Sequence, residues 1–241
     1  MYERIIKNDI QSHLFQSKII ILYGPRQVGK TTLVKQILEE FSGESLYIAC
    51  DIPSRRSLVS LPEPAILKQN FGNAQLIVID EAQLVENIGT ILKVFIDTFP
   101  EIQIIATGSS SFDLANKIRE PLTGRALEYM LYPLSFEEIM KNSHFAQQDQ
   151  EQFRMRFGWF PGVPENIHDA TSYLEILQEN TLYKDIFIMD EIRKPKVLQD
   201  LVIQLAFRIG SVISVQSLAS QIKTTAKTIE RYIDLDRKSV V

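Results

Sequence analysis

One eight-residue motif constrains the fold of this chain more than any other feature. Gly24–Thr31 has the sequence GPRQVGKT, which matches G-x-x-x-x-G-K-[ST] at every fixed position. The motif directly follows the apolar run Lys18–Tyr23 and opens a stretch with good helix-forming residues. A glycine-rich loop between a buried strand and a helix is typical of sheets whose strands alternate with helices. Together with the apolar runs of the chain, which alternate with helical stretches, this order favours a parallel sheet covered by helices on both faces.

The residue types in this loop suit a bound phosphate chain. Glycines let backbone N–H groups turn inward around a β-phosphate, and the following helix adds its positive N-terminus. Lys30 would reach the β- and γ-phosphates, the Thr31 hydroxyl would bind Mg²⁺, and Thr32 would lie near the α-phosphate. We therefore expect ATP and Mg²⁺ as ligands. The expected nucleotide-binding residues are Gly24, Pro25, Arg26, Gln27, Val28, Gly29, Lys30, Thr31 and Thr32.

A second motif, LIVIDEAQ at Leu76–Gln83, ends an apolar run with two carboxylates. Ligands collect at the carboxyl edge of a parallel sheet, so Asp80 is expected to hold the metal there. Glu81 is expected to polarise the attacking water as a general base. Taken alone, the Asp–Glu pair also fits a solvated helix start. Its position downstream of the phosphate-binding loop favours the catalytic interpretation.

A third apolar run ends in IIATGSSS at Ile104–Ser111. Thr107 or Ser109 at its tip would contact the γ-phosphate or position the water, although hydroxyl residues are common in such turns. Arg119 and Arg125 follow. Either arginine would suit a finger directed at the γ-phosphate of a neighbouring subunit, and a solvated surface position is the alternative for both.

The apolar runs that we predict as strands are short, and two of them are apolar on both faces, as in central strands of a parallel sheet. They are Lys18–Tyr23, Ser45–Ala49, Gln75–Ile79, Ile102–Thr107 and Ala126–Leu131. The predicted helices include Thr31–Glu40, Asn87–Phe99 and Ser135–Lys141, the last with a capping box of Ser135 and Glu138. Phe157–Glu165 contains two Gly and two Pro, which predicts a structured turn rather than a helix.

The C-terminal region has a different pattern from residue 198 onward. Two short amphipathic helices with a turn between them predict a helix-turn-helix. Its expected buried face consists of Leu218, Ala219, Ile222, Ile229 and Ile233. Lys227 and Arg231 share one helical face and Lys223 lies in the turn, which suits DNA phosphates and base edges. The alternative is a helix-turn-helix used only for packing or protein contact.

Composition excludes several classes of protein. The 241 residues have a net charge of −4 and 23% charged residues, as ordinary globular proteins do. Residues 191–241 hold nine Lys and Arg against five Asp and Glu, so this region either meets an anionic partner or is merely solvated. Cys50 is the only cysteine, which excludes a disulfide framework. No signal-peptide core and no apolar run of membrane-spanning length occurs, so we expect a cytoplasmic protein without membrane contact.

With these elements in place, the sequence resembles the AAA+ superfamily, and in particular a group of prokaryotic AAA+ ATP-binding proteins. The matching segments are GPRQVGKTTL, VIDEAQ, ATGSSS, LTGR, LYPLSFEE and FPGVPE. The resemblance implies a P-loop NTPase of the α/β class, a three-layer sandwich with sheet order 5-1-4-3-2. It also implies nucleotide binding at Gly24–Thr31, magnesium and hydrolysis roles for Asp80 and Glu81, and a sensor at Thr107–Ser109.

The resemblance further implies three regions: an ATPase domain over 1–135, a helical lid or linker over 136–197, and a helix-turn-helix or winged-helix region over 198–241. Relatives usually continue beyond that point, so we expect either a fragment or the loss of a later domain. The leading functional hypothesis is ATP hydrolysis that drives or switches a partner, within a homo-oligomer if an arginine finger operates. The alternatives are a nucleotide-dependent switch with little turnover and a DNA-binding regulator.

Overall fold

The computed structural model describes residues 2–108, 121–141, 147–165, 169–179 and 195–240. The chain divides into two compact units, Met1–Leu174 and Glu175–Val241. The predicted boundary at residue 135 lies inside the first unit, and the three-region division stays a prediction. No helix in the described residues is long and apolar enough to cross a membrane.

A five-stranded parallel sheet forms the centre of the first unit. Its strands are β1 (Ile19–Tyr23), β2 (Ser45–Ala49), β3 (Leu76–Asp80), β4 (Gln103–Gly108) and β5 (Ala126–Met130). They lie in the order β5-β1-β4-β3-β2, with every pairing parallel. The predicted fold class and the order 5-1-4-3-2 are confirmed, and each predicted strand agrees with the structure to within one residue at either end.

Helices connect the strands and cover the sheet. In the first unit the helices are α1 (Ile6–Ser12), α2 (Lys30–Glu40), α3 (Pro53–Arg56), α4 (Pro64–Phe71), α5 (Ile88–Thr98), α6 (Phe136–Met140), α7 (Gln147–Phe157) and α8 (Gly162–Glu165). A further helix, α9 (Ala170–Gln178), runs across the boundary between the two units. Ser135 and Glu138 form the predicted capping box at the start of α6.

Alternate residues of the strands enter two separate cores, which explains why the strands are apolar on both faces. In β1, Ile19 and Ile21 belong to the core shared with α4 and α5, whereas Ile20 and Leu22 belong to the core shared with α1 and α2. All four side chains are fully buried. Burial of each contributes on the order of 1.5–3 kcal/mol, so the sequence IIILY fixes β1 in the middle layer.

The segment predicted as a non-helical turn, Phe157–Glu165, is partly helical, because its last four residues form α8. The prediction was wrong in giving both prolines the role of helix breakers. Pro164 lies in the first turn of α8, where N–H groups have no intrahelical acceptor and a proline removes nothing.

The second unit contains α10 (Pro195–Ala206), α11 (Val215–Ile222) and α12 (Ala226–Val240). Its three helices share a core of six buried residues, with Ile222 and Ile233 packed against them: Leu198, Leu201, Leu218, Ala219, Ile229 and Tyr232. Ser214 caps α11, and Lys223 ends it in the left-handed region at φ 58°. The predicted helix-turn-helix order is therefore present in α11 and α12, while a wing stays a prediction.

Candidate functional site

The phosphate-binding motif forms the connection between β1 and α2. A Cβ atom on Gly24 would lie 2.5 Å from the backbone oxygen of Leu131, so only glycine fits beside the chain leaving β5. Gly29 has φ 102° and precedes α2, a backbone conformation that L side chains rarely adopt. The close approach at Gly24 and the positive φ of Gly29 therefore explain why glycine occupies both positions of the loop.

Lys30 lies inside this loop rather than on its surface. The residue is only 5% exposed, and its Nζ donates hydrogen bonds to the backbone oxygens of Gly24 at 2.7 Å and Pro25 at 2.9 Å. The ammonium group is thus fixed within the curve of the loop, beside the amino end of α2. A positive charge and a helix N-terminus at one place favour an anion there.

The other expected nucleotide-binding residues differ in exposure. Val28 is buried in the core, Gln27 and Thr32 are exposed, and Pro25 and Arg26 are half-buried. Gln27 has φ 60°, and its Oε1 accepts a hydrogen bond from the Tyr173 hydroxyl of α9 at 3.0 Å.

The carboxylate of Asp80 lies at the carboxyl end of β3, next to the start of α2, and is 5% exposed. The Thr31 hydroxyl donates to its Oδ2 at 2.8 Å, which joins the first motif to the second. The Thr107 hydroxyl at the end of β4 donates to Oδ1, and the Tyr47 hydroxyl of β2 also donates to Oδ2. Three of the expected residues therefore meet at one edge of the sheet, together with Tyr47, which the sequence analysis did not identify.

The signal that identifies Tyr47 is the register of β2 against β3, which the sequence alone does not give. Tyr47 pairs with Val78 in β3, so its side chain lies on the same face as Asp80 two residues further along. Burial, and then the hydrogen bond to Asp80, raise the pKa of the Tyr47 hydroxyl. Nearby, burial raises the pKa of the Cys50 thiol to about 12, so this thiol stays protonated at neutral pH.

Glu81 follows β3 in an unusual backbone conformation. Its φ of 55° lies in the left-handed region, which is uncommon for a residue other than glycine. The backbone N–H of Glu81 donates to the Thr107 hydroxyl at 3.1 Å, and its Oε2 accepts a hydrogen bond from Gln83. These contacts attach the backbone of Glu81 to the end of β4 and its carboxylate to Gln83. Ser109 and Arg119 lie outside the described residues.

A buried ion pair supports the phosphate-binding loop, and sequence reasoning missed it. Arg4 Nε donates to Glu138 Oε1 at 3.1 Å, with both side chains only 6% exposed. The same guanidinium donates to the backbone oxygen of Val28 at 2.8 Å and to that of Tyr132. Arg4 therefore joins the N-terminal segment, the phosphate-binding loop and the chain after β5.

Arg125 lies at the opposite edge of the sheet from this site. It precedes β5, and its Nε donates to Asp97 Oδ1 at 2.6 Å on the partly exposed surface. A five-residue strand is roughly 16 Å long, so Arg125 does not reach the phosphate-binding loop of its own chain. Its role toward a neighbouring subunit stays a prediction.

Two curated relatives of this chain from one archaeon are uncharacterised proteins. One uncharacterised protein of Methanocaldococcus jannaschii is 29% identical over 95% of this chain and 55% of its own length. A second from the same organism is 26% identical over 97% of this chain and 58% of its own length. The chain thus spans little more than half the length of these curated relatives.

Among solved structures, the Walker-type ATPase of Pyrococcus abyssi superposes with a TM-score of 0.64 and 17% identity, covering 99% of this chain and 90% of that one. This likeness supports the fold. The sequence model of a family described as a domain of unknown function matches residues 148–236. The sequence model of a family described as an AAA domain matches residues 16–140, more than half of the chain, and the resemblance to the AAA+ superfamily is confirmed: the chain belongs to this family of AAA domains.

Proposed function

We propose that this protein binds ATP with Mg²⁺ and hydrolyses it to ADP and phosphate, and that the cycle drives or switches a partner. The observation that carries the proposal is the 2.8 Å hydrogen bond from the Thr31 hydroxyl to Asp80 Oδ2. This hydrogen bond joins the start of α2, directly after the phosphate-binding loop, to Asp80, the carboxylate that is expected to hold the metal. Such a pair is what a nucleotide-bound magnesium ion requires from a P-loop protein.

The loop and Lys30 are suited to the phosphates. The backbone N–H groups of such a loop and the amino end of α2 would offer partial positive charge. Lys30 Nζ is already fixed among backbone oxygens at 2.7 and 2.9 Å, so little side-chain entropy is lost when a phosphate oxygen becomes its acceptor. Lys30 would therefore bind the β- and γ-phosphates.

The donor atoms around Asp80 suit magnesium. Thr31 and Asp80 offer hydroxyl and carboxylate oxygens, the hard ligands that Mg²⁺ prefers, and Mg²⁺ commonly takes one or two carboxylates together with substrate phosphates. In the described part of the chain, no group of three or more His, Cys, Asp or Glu residues is placed to hold a metal without such a substrate. When bound, the ion would neutralise charge on the β- and γ-phosphate oxygens.

Glu81 is placed to act on water. In the proposed reaction, the oxygen of a water molecule attacks the γ-phosphorus, and the bond from that phosphorus to the β–γ bridging oxygen breaks. The proton of the water passes to the Glu81 carboxylate, and ADP leaves with the electron pair of the broken bond. Gln83 donates to Glu81 Oε2 and orients the carboxylate.

Steady-state hydrolysis by Glu81→Gln and wild type tests this role. We expect kcat to fall by roughly 10²–10⁴ while ATP binding persists, because the amide still fits but accepts no proton. Glu86→Gln, an exposed glutamate after the same motif, is the matched control and should behave as wild type. Equal rates for Glu81→Gln and wild type would refute the base. Tight ATP binding with slow turnover in wild type would instead favour the nucleotide-dependent switch.

The second unit supports a second candidate function, binding to duplex DNA. Lys227 and Arg231 are exposed on α12 close to its amino end, the part of a recognition helix that enters the major groove. We expect binding that weakens with salt and further with Lys227→Ala plus Arg231→Ala. Lys141→Ala, in the first unit, is the control. Binding that does not change with salt would exclude this candidate.

A further inference from the structure

Tyr47 belongs to neither nucleotide motif, yet its hydroxyl contacts Asp80, the carboxylate that is expected to hold the metal. It donates a hydrogen bond to Asp80 Oδ2, the oxygen that also accepts from Thr31 at 2.8 Å. The contact joins β2 to the end of β3, which lie side by side in the sheet. It is therefore an additional contact from the edge strand to the site that the loop and β3 form.

Three hydroxyl groups together fix the orientation of this carboxylate. Thr31 and Tyr47 donate to Oδ2, and Thr107 donates to Oδ1. An ionised carboxylate has about four acceptor positions, so most of those on Asp80 are occupied by donors from three different elements. Rotation of the carboxylate would break at least one of these hydrogen bonds at a site that is only 5% exposed.

Tyr47 is itself held in place. Its ring packs against the core formed with α2, and Lys35 Nζ lies 5.1 Å from the ring centroid on the side of that helix. The contact with a cation and the partial burial of the ring both favour the observed position of the side chain. The pairing of β2 with β3 and the packing of the ring thus place the Tyr47 hydroxyl next to Asp80.

We propose that Tyr47 is a positioning residue that sets the magnesium dependence of nucleotide binding by holding Asp80 Oδ2 in place. The inference rests on the proposed ATP and Mg²⁺ binding. Hydrogen-bonding partners of ligating carboxylates typically change metal affinity or activity 10–100-fold when they are removed. Among the described residues the Tyr47 hydroxyl donates to Asp80 and not to a backbone group of the phosphate-binding loop, so binding of nucleotide without metal should not depend on it.

The test compares wild type, Tyr47→Phe and the matched control Tyr129→Phe. Tyr129 is also a partly buried strand tyrosine packed against the same core, and its hydroxyl bonds to His13 Nδ1 at 2.9 Å instead. The affinity for a fluorescent ATP analogue is measured in EDTA and across a Mg²⁺ titration. In Tyr47→Phe we expect the Mg²⁺ concentration for half-maximal binding to rise about tenfold, with the affinity in EDTA unchanged. Tyr129→Phe should match wild type in both.

Each outcome separates this inference from the proposed function. Wild type that binds ATP equally well with and without Mg²⁺ overturns the proposed metal role, and the inference with it. Wild type with a clear Mg²⁺ dependence that Tyr47→Phe shares unchanged overturns the inference alone, as does an equal loss of affinity in EDTA. If Tyr47→Phe is too unstable for titration, the rise in melting temperature with Mg²⁺–ATP over EDTA–ATP gives the same comparison.

Discussion

Thr107 accepts a hydrogen bond from the backbone N–H of Glu81 at 3.1 Å, so the end of β4 is attached to the turn that follows β3. The same hydroxyl donates to Asp80, which makes it a bridge between two consecutive acidic residues with different expected roles. Thr107 is fully buried, and Glu81 has a left-handed φ of 55°. The bridge therefore stabilises a strained turn as well as a carboxylate.

Thr107→Val should lower the rate of hydrolysis more than the affinity for nucleotide. Valine keeps the shape of the side chain but leaves the Glu81 N–H without its acceptor, which costs about 1–3 kcal/mol when such a group is buried. We expect the free energy of unfolding of Thr107→Val, measured in urea, to be lower than that of wild type by about that amount. We also expect a reduced kcat, because Glu81 and Asp80 both lose a fixed contact.

Thr98→Val is the matched control for Thr107→Val. The Thr98 hydroxyl donates to the backbone oxygen of Val94 on the exposed side of α5, at 2.7 Å and away from the site. Its kcat should equal that of wild type. A Thr107→Val variant with unchanged kcat would show that the bridge does not orient the catalytic groups.

Gly24→Ala should disrupt the loop through a clash with backbone. The added Cβ would lie 2.5 Å from the Leu131 oxygen, and neither backbone can move without shifting β1 or the chain after β5. Such overpacking typically costs 1–3 kcal/mol or more, and we expect ATP affinity to fall as well. Urea unfolding and analogue binding measure the two effects.

Gly124→Ala provides the comparison for Gly24→Ala. Gly124 has φ 75° but no atom within 4 Å of the added Cβ, so only the left-handed backbone is penalised, by about 1–2 kcal/mol. Its ATP affinity should stay at the wild-type value. If both variants bind ATP as wild type does, the close approach to Leu131 is not needed for the loop.

The parts of the site that lie within short sequence motifs could be predicted, because local spacing determines them. A buried strand, a glycine-rich loop and a helix must follow one another to present Lys30 and Thr31, and a buried strand must end at Asp80. Parallel pairing then brings strand ends to one edge, which is why Thr107 or Ser109 at the tip of β4 was expected at the γ-phosphate of the same site. Site residues that all lie at the carboxyl ends of parallel strands can therefore be predicted once the strands are identified in the sequence.

Contacts between distant parts of the chain could not be predicted. Arg4 and Glu138 are 134 positions apart, and nothing in the N-terminal sequence distinguishes Arg4 from a surface arginine. Tyr47 required the register of β2 against β3. Arg125 lies in the interval between β4 and β5 where an arginine finger was expected. It precedes β5, so it lies at the amino end of that strand, far from the phosphate-binding loop of its own chain.

Arg4→Met should destabilise the protein and weaken ATP binding for two separable reasons. The variant leaves the buried Glu138 carboxylate without its cation, and breaking such a pair typically costs 3–5 kcal/mol. It also leaves the Val28 oxygen in the loop without the Arg4 donor at 2.8 Å. Urea unfolding reports the first effect, and binding of a fluorescent ATP analogue reports the loop.

Arg4→Met combined with Glu138→Gln separates these two effects. A glutamine removes the buried charge and keeps one acceptor oxygen, for the Ile5 N–H that donates to Glu138 Oε1 at 2.9 Å in the native protein. It gives up the acceptor of the Ser135 N–H in the capping box, which costs part of the stability. We expect the double variant to recover much of the stability and none of the ATP affinity. Recovery of both would mean that Arg4 acts on the loop only through global stability.

Arg125 acts on a neighbouring subunit if the finger prediction holds, and mixed assemblies of variants test it. A Lys30→Ala subunit has an inactive site but an intact Arg125, whereas an Arg125→Ala subunit has an intact site but no finger. Mixing the two should restore hydrolysis above the sum of the separate preparations, because an intact site can then meet an intact finger.

Asp97→Asn is the control for Arg125→Ala, since it removes the 2.6 Å ion-pair partner of Arg125 and keeps the arginine. Partly exposed pairs contribute about 0–1 kcal/mol, so this variant should fold and hydrolyse ATP normally. Arg125→Ala with wild-type kcat at every protein concentration would assign Arg125 to the surface pair with Asp97 alone.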